Sequence, residues 1–162
     1  MATTDPLALQ VLAIAKEAGD KIMEIYDRDF AIYEKQDTSP LTEADLAAHK
    51  SIVAGLEAIS ELPILSEESA DISWEERKTW DKYWLVDPLD GTKEFIKKNG
   101  EFTVNIALID GGKPIMGVVY APALSKSYVG IVGQGAWTET AAGVNPISAK
   151  PHQPGELWKV VG

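Results

Sequence analysis

The 162-residue chain contains no cysteine. Disulfides, zinc–thiolate sites, iron–sulfur clusters and thiol nucleophiles are therefore excluded, and a reducing compartment fits. No apolar run approaches the roughly 20 residues needed to span a bilayer. Met1 to Pro6 has no basic stretch leading into an apolar one, so no signal peptide is read. Positive charge is scarce, with 15 Lys and Arg against 25 Asp and Glu, a formal net charge of −10. Nucleic-acid surfaces need clustered cations, so a nucleic acid polymer is not an expected partner. The expected location is the cytoplasm.

What is present has the size and balance of one globular domain, with 45% hydrophobic and 25% charged residues. The acidic excess fits a solvated charged surface. It also fits carboxylates gathered for divalent cations, which take oxygen ligands.

Leu7, Val11, Ile14, Ala18, Ile22 and Ile25 recur at helical spacing and predict a helix over Pro6–Tyr26, with Asp5 as its cap. Phe30 to Glu34 reads as a short strand, and residues 35–40 as a polar turn. A second helix is expected from about Thr42 to Ser60, with Thr42 and Asp45 as a capping box. Apolar runs at Pro63–Ser66 and Tyr83–Val86 predict strands that stop at acidic residues. From Phe102 onward the pattern is a meander, with strands at Phe102–Ile109, Pro114–Tyr120, Ser127–Val132 and Ala136–Thr138. Leu157 to Val161 looks like the start of a further strand. Helices first and strands later indicate an α+β fold, helices packed on an antiparallel sheet. The five Trp residues are expected to be packing elements.

Two acidic groups follow short strands, Glu67-Glu68 and Asp87-Pro88-Leu89-Asp90-Gly91-Thr92. Side by side, these strand ends would bring Glu67, Asp87 and Asp90 together. Carboxylates so crowded repel one another unless cations neutralise them, and Mg2+ suits carboxylates, a carbonyl and water. The carbonyl of Leu89 lies between the two Asp residues as an extra ligand. Gly91 lets backbone approach a ligand, and a helix starting at Thr92 would point amides at an anion. The plainer alternative is a turn with capping acids, beside a solvated Glu pair. Asp37 reads either as a turn acid or as a group that orients water. Asp45 reads as a helix-cap acid in preference to a catalytic one. Lys93, Lys97 and Lys98 form either a phosphate-attracting group or a charged helix face. His49 and His152 read as ordinary polar residues.

Trp84 to Thr92, with Glu67-Glu68 upstream, resembles the signature of the lithium-sensitive phosphatases, the inositol monophosphatase superfamily. Lys93-Glu94-Phe95, the run Asn99 to Asn105 and Asp37 to Thr42 resemble the bisphosphate nucleotidase branch of CysQ type. The resemblance runs over essentially the whole chain. It implies the first half of a layered sugar-phosphatase-like fold, residues 1–162 being an amino-terminal metal-binding domain. Two or three Mg2+ ions are implied. Glu67, Asp87 and the Leu89 carbonyl would hold one, Asp87 and Asp90 a second, and Glu67 a third through waters. Thr92, with Asp37 or Glu67, would orient the attacking water. Glu67 and the stretch Leu89, Asp90, Gly91 and Thr92 would contact the substrate. That substrate is a phosphate monoester, a bisphosphorylated nucleotide: 3′-phosphoadenosine 5′-phosphate, cleared in sulfate assimilation. The family's second domain carries a further metal ligand and the nucleoside contacts, so weak or no turnover is expected of this chain. Self-association through the face left by that domain, and a peripheral place at the inner membrane, are further expectations of the resemblance. Inositol monophosphatase or sugar bisphosphatase activity, or a non-catalytic metal-binding module, are the alternatives.

Overall fold

The structure is a computed structural model that describes residues 5–28, 39–68 and 71–160. Helix α1 spans Pro6–Tyr26 and α2 spans Pro40–Ile59. Strands β1 (Ile64–Ser66), β2 (Lys82–Asp90), β3 (Thr103–Asp110), β4 (Lys113–Ala121), β5 (Lys126–Ile131), β6 (Gly135–Thr140) and β7 (Gly143–Ile147) form one sheet in that order. Two short helices, α3 (Trp74–Arg77) and α4 (Thr92–Lys97), flank β2.

Helix α1 begins as expected. The Asp5 side chain accepts from the Ala8 amide at 3.1 Å, and Pro6 fills a position whose N–H has no helical partner. Helix α2 starts earlier than the capping box predicts. Ser39 caps it, its Oγ accepting from the Thr42 amide at 3.1 Å, and Pro40 takes the first turn. Both helices lie on one face of the sheet, against β2, β3 and β4. Val11, Ala15, Ile22, Ile52 and Leu56 meet Trp84, Val86, Val104, Ile106 and Val118 in the core. The Trp84 indole donates to Ser60 Oγ at 2.9 Å, tying the end of α2 to β2. Gly19 and Gly55 let the packing close, since a Cβ would lie 2.5 Å from the Tyr120 ring and 2.8 Å from Ile14 respectively.

The sheet is antiparallel except at one edge, where β1 runs parallel to β2. Its second face is open, and Leu85, Val119 and Tyr128 are exposed there. Two expectations need correction, and one strand is additional. Leu157 to Val160 forms no strand and is exposed. β7 was not anticipated, because Pro146 and a fully exposed run carry no alternation. Trp74 and Trp158 are exposed, so not every Trp is a packing element. The strand expected at Phe30 to Glu34 lies outside the described residues. No described helix is long and apolar enough to cross a membrane.

Candidate metal centre

The parallel pair sets two strand ends side by side. Ser66 pairs with Val86, and the Glu67 amide donates to the Val86 carbonyl at 3.1 Å. Glu67 thus leaves β1 beside Asp87 on β2. In a regular strand, residues three apart point to opposite faces. Here Asp87 is opposite Asn105 and Asp90 is opposite Thr103. Three steps along β2 therefore match two along β3, with Pro88 and Leu89 sharing the place opposite Val104. This is a β-bulge, and the extra residue turns Asp90 back to the face that carries Asp87. Pro88, which has no N–H to give to a ladder, belongs at such a place. Gly91 then takes φ 90°, and α4 begins. Phe95 anchors α4, its ring centroid 5.5 Å from that of Tyr26 and 5.3 Å from that of Phe102.

The acids interact strongly. Burial pushes the Asp87 carboxyl up to about 7, helped by a hydrogen bond and charge from Glu67 and by the charge of Asp90, while the Leu89 amide opposes. Burial pushes Asp45 up to about 8, helped by a hydrogen bond and charge from Glu68 and by the charges of Asp87 and Glu67. Asp45 Oδ1 and Asp87 Oδ1 are buried without a hydrogen-bond partner. Asp90 accepts from Asn105 Nδ2 at 3.1 Å. The Glu68 amide donates to Ser66 Oγ at 3.3 Å, and that hydroxyl lies 2.9 Å from His49 Nδ1.

A stability trend follows. Both carboxyls titrate far above their ordinary value of 3.8 in the folded chain. The folded state therefore keeps protons that the unfolded state has lost, and stability falls as pH rises from about 4 to about 8. Metal-free chain in chelator should lose on the order of 1–2 kcal/mol between these limits, after allowing for solvent screening. Urea unfolding at both pH values checks this. The double variant Asp45→Asn, Asp87→Asn should lose that part of the slope, and an unchanged slope would contradict the account.

Of the acids singled out in the sequence, Glu67 and Asp90 both act on the Asp87 carboxyl. Leu89 has a buried side chain, and its backbone lies in the bulge. Gly91 and Thr92 open α4, with Thr92 exposed. Asp37 lies outside the described residues. Asp45 is not a helix cap. Ser39 holds that position, and Asp45 lies further along α2, hydrogen-bonded to Glu68. No local signal marks it, because Glu68 is distant in sequence. Lys98 donates to the carbonyls of Tyr26 and Arg28 at 2.7 and 2.8 Å, which fastens the end of α1. Lys93 and Lys97 are exposed.

The donors fit a hard divalent cation in kind. They are carboxylate oxygens, of which Asp87 Oδ1 is buried and unpartnered, with the unpartnered Asp45 Oδ1 on a neighbouring acid. Among the described residues, no three His, Cys, Asp or Glu side chains already stand as a complete metal-binding group.

Residues 4–157 match the inositol monophosphatase family. The chain is 51% identical over 148 residues to the 3′(2′),5′-bisphosphate nucleotidase CysQ of Salmonella typhimurium, covering 90% of this chain and 59% of that protein. It is 56% identical over 133 residues to the protein of the same name from Shigella flexneri, covering 80% of this chain and 53% of that protein. The crystal structure of CysQ from Bacteroides thetaiotaomicron, titled a bacterial member of the inositol monophosphatase family, superposes with a TM-score of 0.78. It shares 43% identity, over 90% of this chain and 54% of that one. The chain thus spans between about half and three fifths of these relatives. The match takes in both long helices, the parallel strand pair and the bulge with its acids, and by it the chain belongs to the inositol monophosphatase family.

Proposed function

We propose that the chain is the metal-binding part of a phosphatase that hydrolyses 3′-phosphoadenosine 5′-phosphate to AMP and phosphate, a step that clears a by-product of sulfate assimilation. The observation that carries this reading is the bulge at Pro88–Leu89, which turns Asp87 and Asp90 to one face beside Glu67. The 51% identity to a bisphosphate nucleotidase supports the choice of substrate.

Glu67, Asp87 and the Leu89 carbonyl would hold one Mg2+, Asp87 and Asp90 a second, and Glu67 a third through waters. Bound there, Mg2+ supplies a polarised water and stabilises charge on the leaving oxygen. The Thr92 hydroxyl, with Asp37 or Glu67, orients the water whose oxygen bonds to phosphorus. The bond from phosphorus to the 3′ oxygen breaks, and that oxygen takes the proton that the attacking water gives up. Backbone amides from Asp90 to Thr92 receive the phosphate, which puts its negative charge at the start of α4. Asp45 hydrogen-bonds to Glu68 and stands as a further acid near Asp87 and Glu67.

The test measures phosphate release with Mg2+ from three substrates: 3′-phosphoadenosine 5′-phosphate, inositol monophosphate and fructose bisphosphate. Two forms are assayed, the 162-residue chain and the chain joined to the remainder of the Salmonella protein. The joined form should prefer the nucleotide and turn over faster than the chain alone. A preference for the inositol or sugar ester would replace the nucleotidase reading. Mg2+ binding without hydrolysis of any substrate by the joined form would indicate a non-catalytic module.

A further inference from the structure

We propose that Asn105, locked by Thr103, is a positioning residue that presents the Asp90 carboxylate to a divalent cation. The inference rests on the metal-site reading above. The bulge register puts Thr103 opposite Asp90 and Asn105 opposite Asp87, so all four residues share the open face of the sheet. Asn105 Nδ2 donates to Asp90 Oδ2 at 3.1 Å. Thr103 Oγ1 donates to Asn105 Oδ1 at 2.9 Å.

The direction of both bonds follows from chemistry. An amide has a donor end and an acceptor end of nearly the same shape. An ionised carboxylate only accepts, so Asp90 selects the NH2 end of Asn105. The carbonyl end must then face Thr103, and the hydroxyl must donate to it. A flipped amide would set its carbonyl against the carboxylate and leave the NH2 group on a hydroxyl. Thr103 therefore fixes the amide, and the amide fixes one oxygen of Asp90. The other oxygen stays available for a cation.

The residue type suits the task. An acid at position 105 would add repulsion beside Asp87, and a Lys or Arg would compete with the cation for Asp90. A neutral amide orients without changing the charge. Asn105 lines an open groove of about 560 Å³ together with Glu67 and Asp87, so it faces the same space as the acids. Groups that orient metal-binding carboxylates typically change metal affinity by about 10–100-fold when removed.

The test is Mn2+ binding to the 162-residue chain, followed by the electron paramagnetic resonance of free Mn2+, with thermal melts of each variant in chelator. Thr103→Val keeps the branched shape and deletes the hydroxyl. It should weaken Mn2+ binding by about 5–10-fold, while Thr103→Ser stays within about twofold of the parent. Asn105→Leu should weaken binding by about tenfold or more. Should Asn105→Leu fail to fold, the Thr103 pair decides. Equal affinity for Val and Ser at position 103 overturns the proposal, whether both match the parent or both are weakened. Asp87→Asn separates the two readings. If it loses Mn2+ while Thr103→Val binds like the parent, only this proposal falls. If the parent binds no Mn2+, or Asp87→Asn binds like the parent, both fall.

Discussion

Asp87→Asn should cut phosphate release by about 10³-fold while making the metal-free chain more stable. The two effects share one cause. Asp87 lies at the centre of the cluster, its carboxyl pushed up to about 7 by burial, by Glu67 and by Asp90. Without a cation its charge costs stability above that pH. The amide of Asn is neutral, and its NH2 group can donate to a neighbouring carboxylate, so the repulsion becomes an attraction. At pH 8 in chelator the variant should gain about 1 kcal/mol, the full shift being discounted for partial exposure. With Mg2+ present, the same substitution removes a ligand that the proposal shares between two ions. Loss of several kcal/mol of charge stabilisation corresponds to about a 10³-fold fall in turnover by the form joined to the Salmonella remainder. Urea unfolding in chelator and phosphate release with Mg2+ measure the two halves. A variant that is less stable and still active would contradict both.

Gly91→Ala should be the most damaging small change near the site. Gly91 has φ 90°, where a side chain is strained, and an added Cβ would lie 3.1 Å from the Glu101 carbonyl oxygen and 3.2 Å from Phe102 Cα. Both neighbours are backbone, so neither can swing aside. The combined cost is about 2–3 kcal/mol. Relief by shifting the loop would move Asp90 and the start of α4, and displacements near 1 Å can cost about 10²-fold in rate. Gly111→Ala is the control. It has φ 59° in the turn after β3, with nothing within 4 Å of the added atom. That variant should cost about 1 kcal/mol with unchanged turnover. Urea midpoints and phosphate release compare the two. Equal losses at both glycines would show that the contacts around Gly91 are unimportant.

What the sequence disclosed depended on how local the signal is. Helix α1 was legible from end to end, because Asp5, Pro6 and an apolar stripe lie within the segment itself. The start of α2 was misplaced by two residues, since Ser39-Pro40 and Thr42 both offer caps and only the backbone decides between them. The hairpins from β3 to β6 were legible through alternation and glycine turns. The adjacency of the β1 and β2 ends was legible from their acids, but the register of the parallel pair was not, because register between distant segments leaves no local mark. The grouping of Glu67, Asp87 and Asp90 was expected from strand ends, but its geometric cause was hidden. Residues 87 and 90 share a face only because β2 bulges opposite Val104. Asp45 reads as a cap acid in the sequence because its spacing from Thr42 imitates a capping box. Its actual neighbour, Glu68, follows the end of β1, which the contact of His49 with Ser66 ties to α2. Thr103 and Asn105 looked like ordinary strand residues for the same reason.

The central claim is that this acidic cluster is a divalent-cation site, and titration calorimetry with Mg2+ on metal-free chain at pH 7 tests it most directly. The account predicts saturable binding, with protons released because Asp87 and Asp45 titrate near 7 and 8. It also predicts that Asp87→Asn and Asp90→Asn each lose the binding. Heat that is unchanged by either substitution, or no binding by the parent chain, would contradict it.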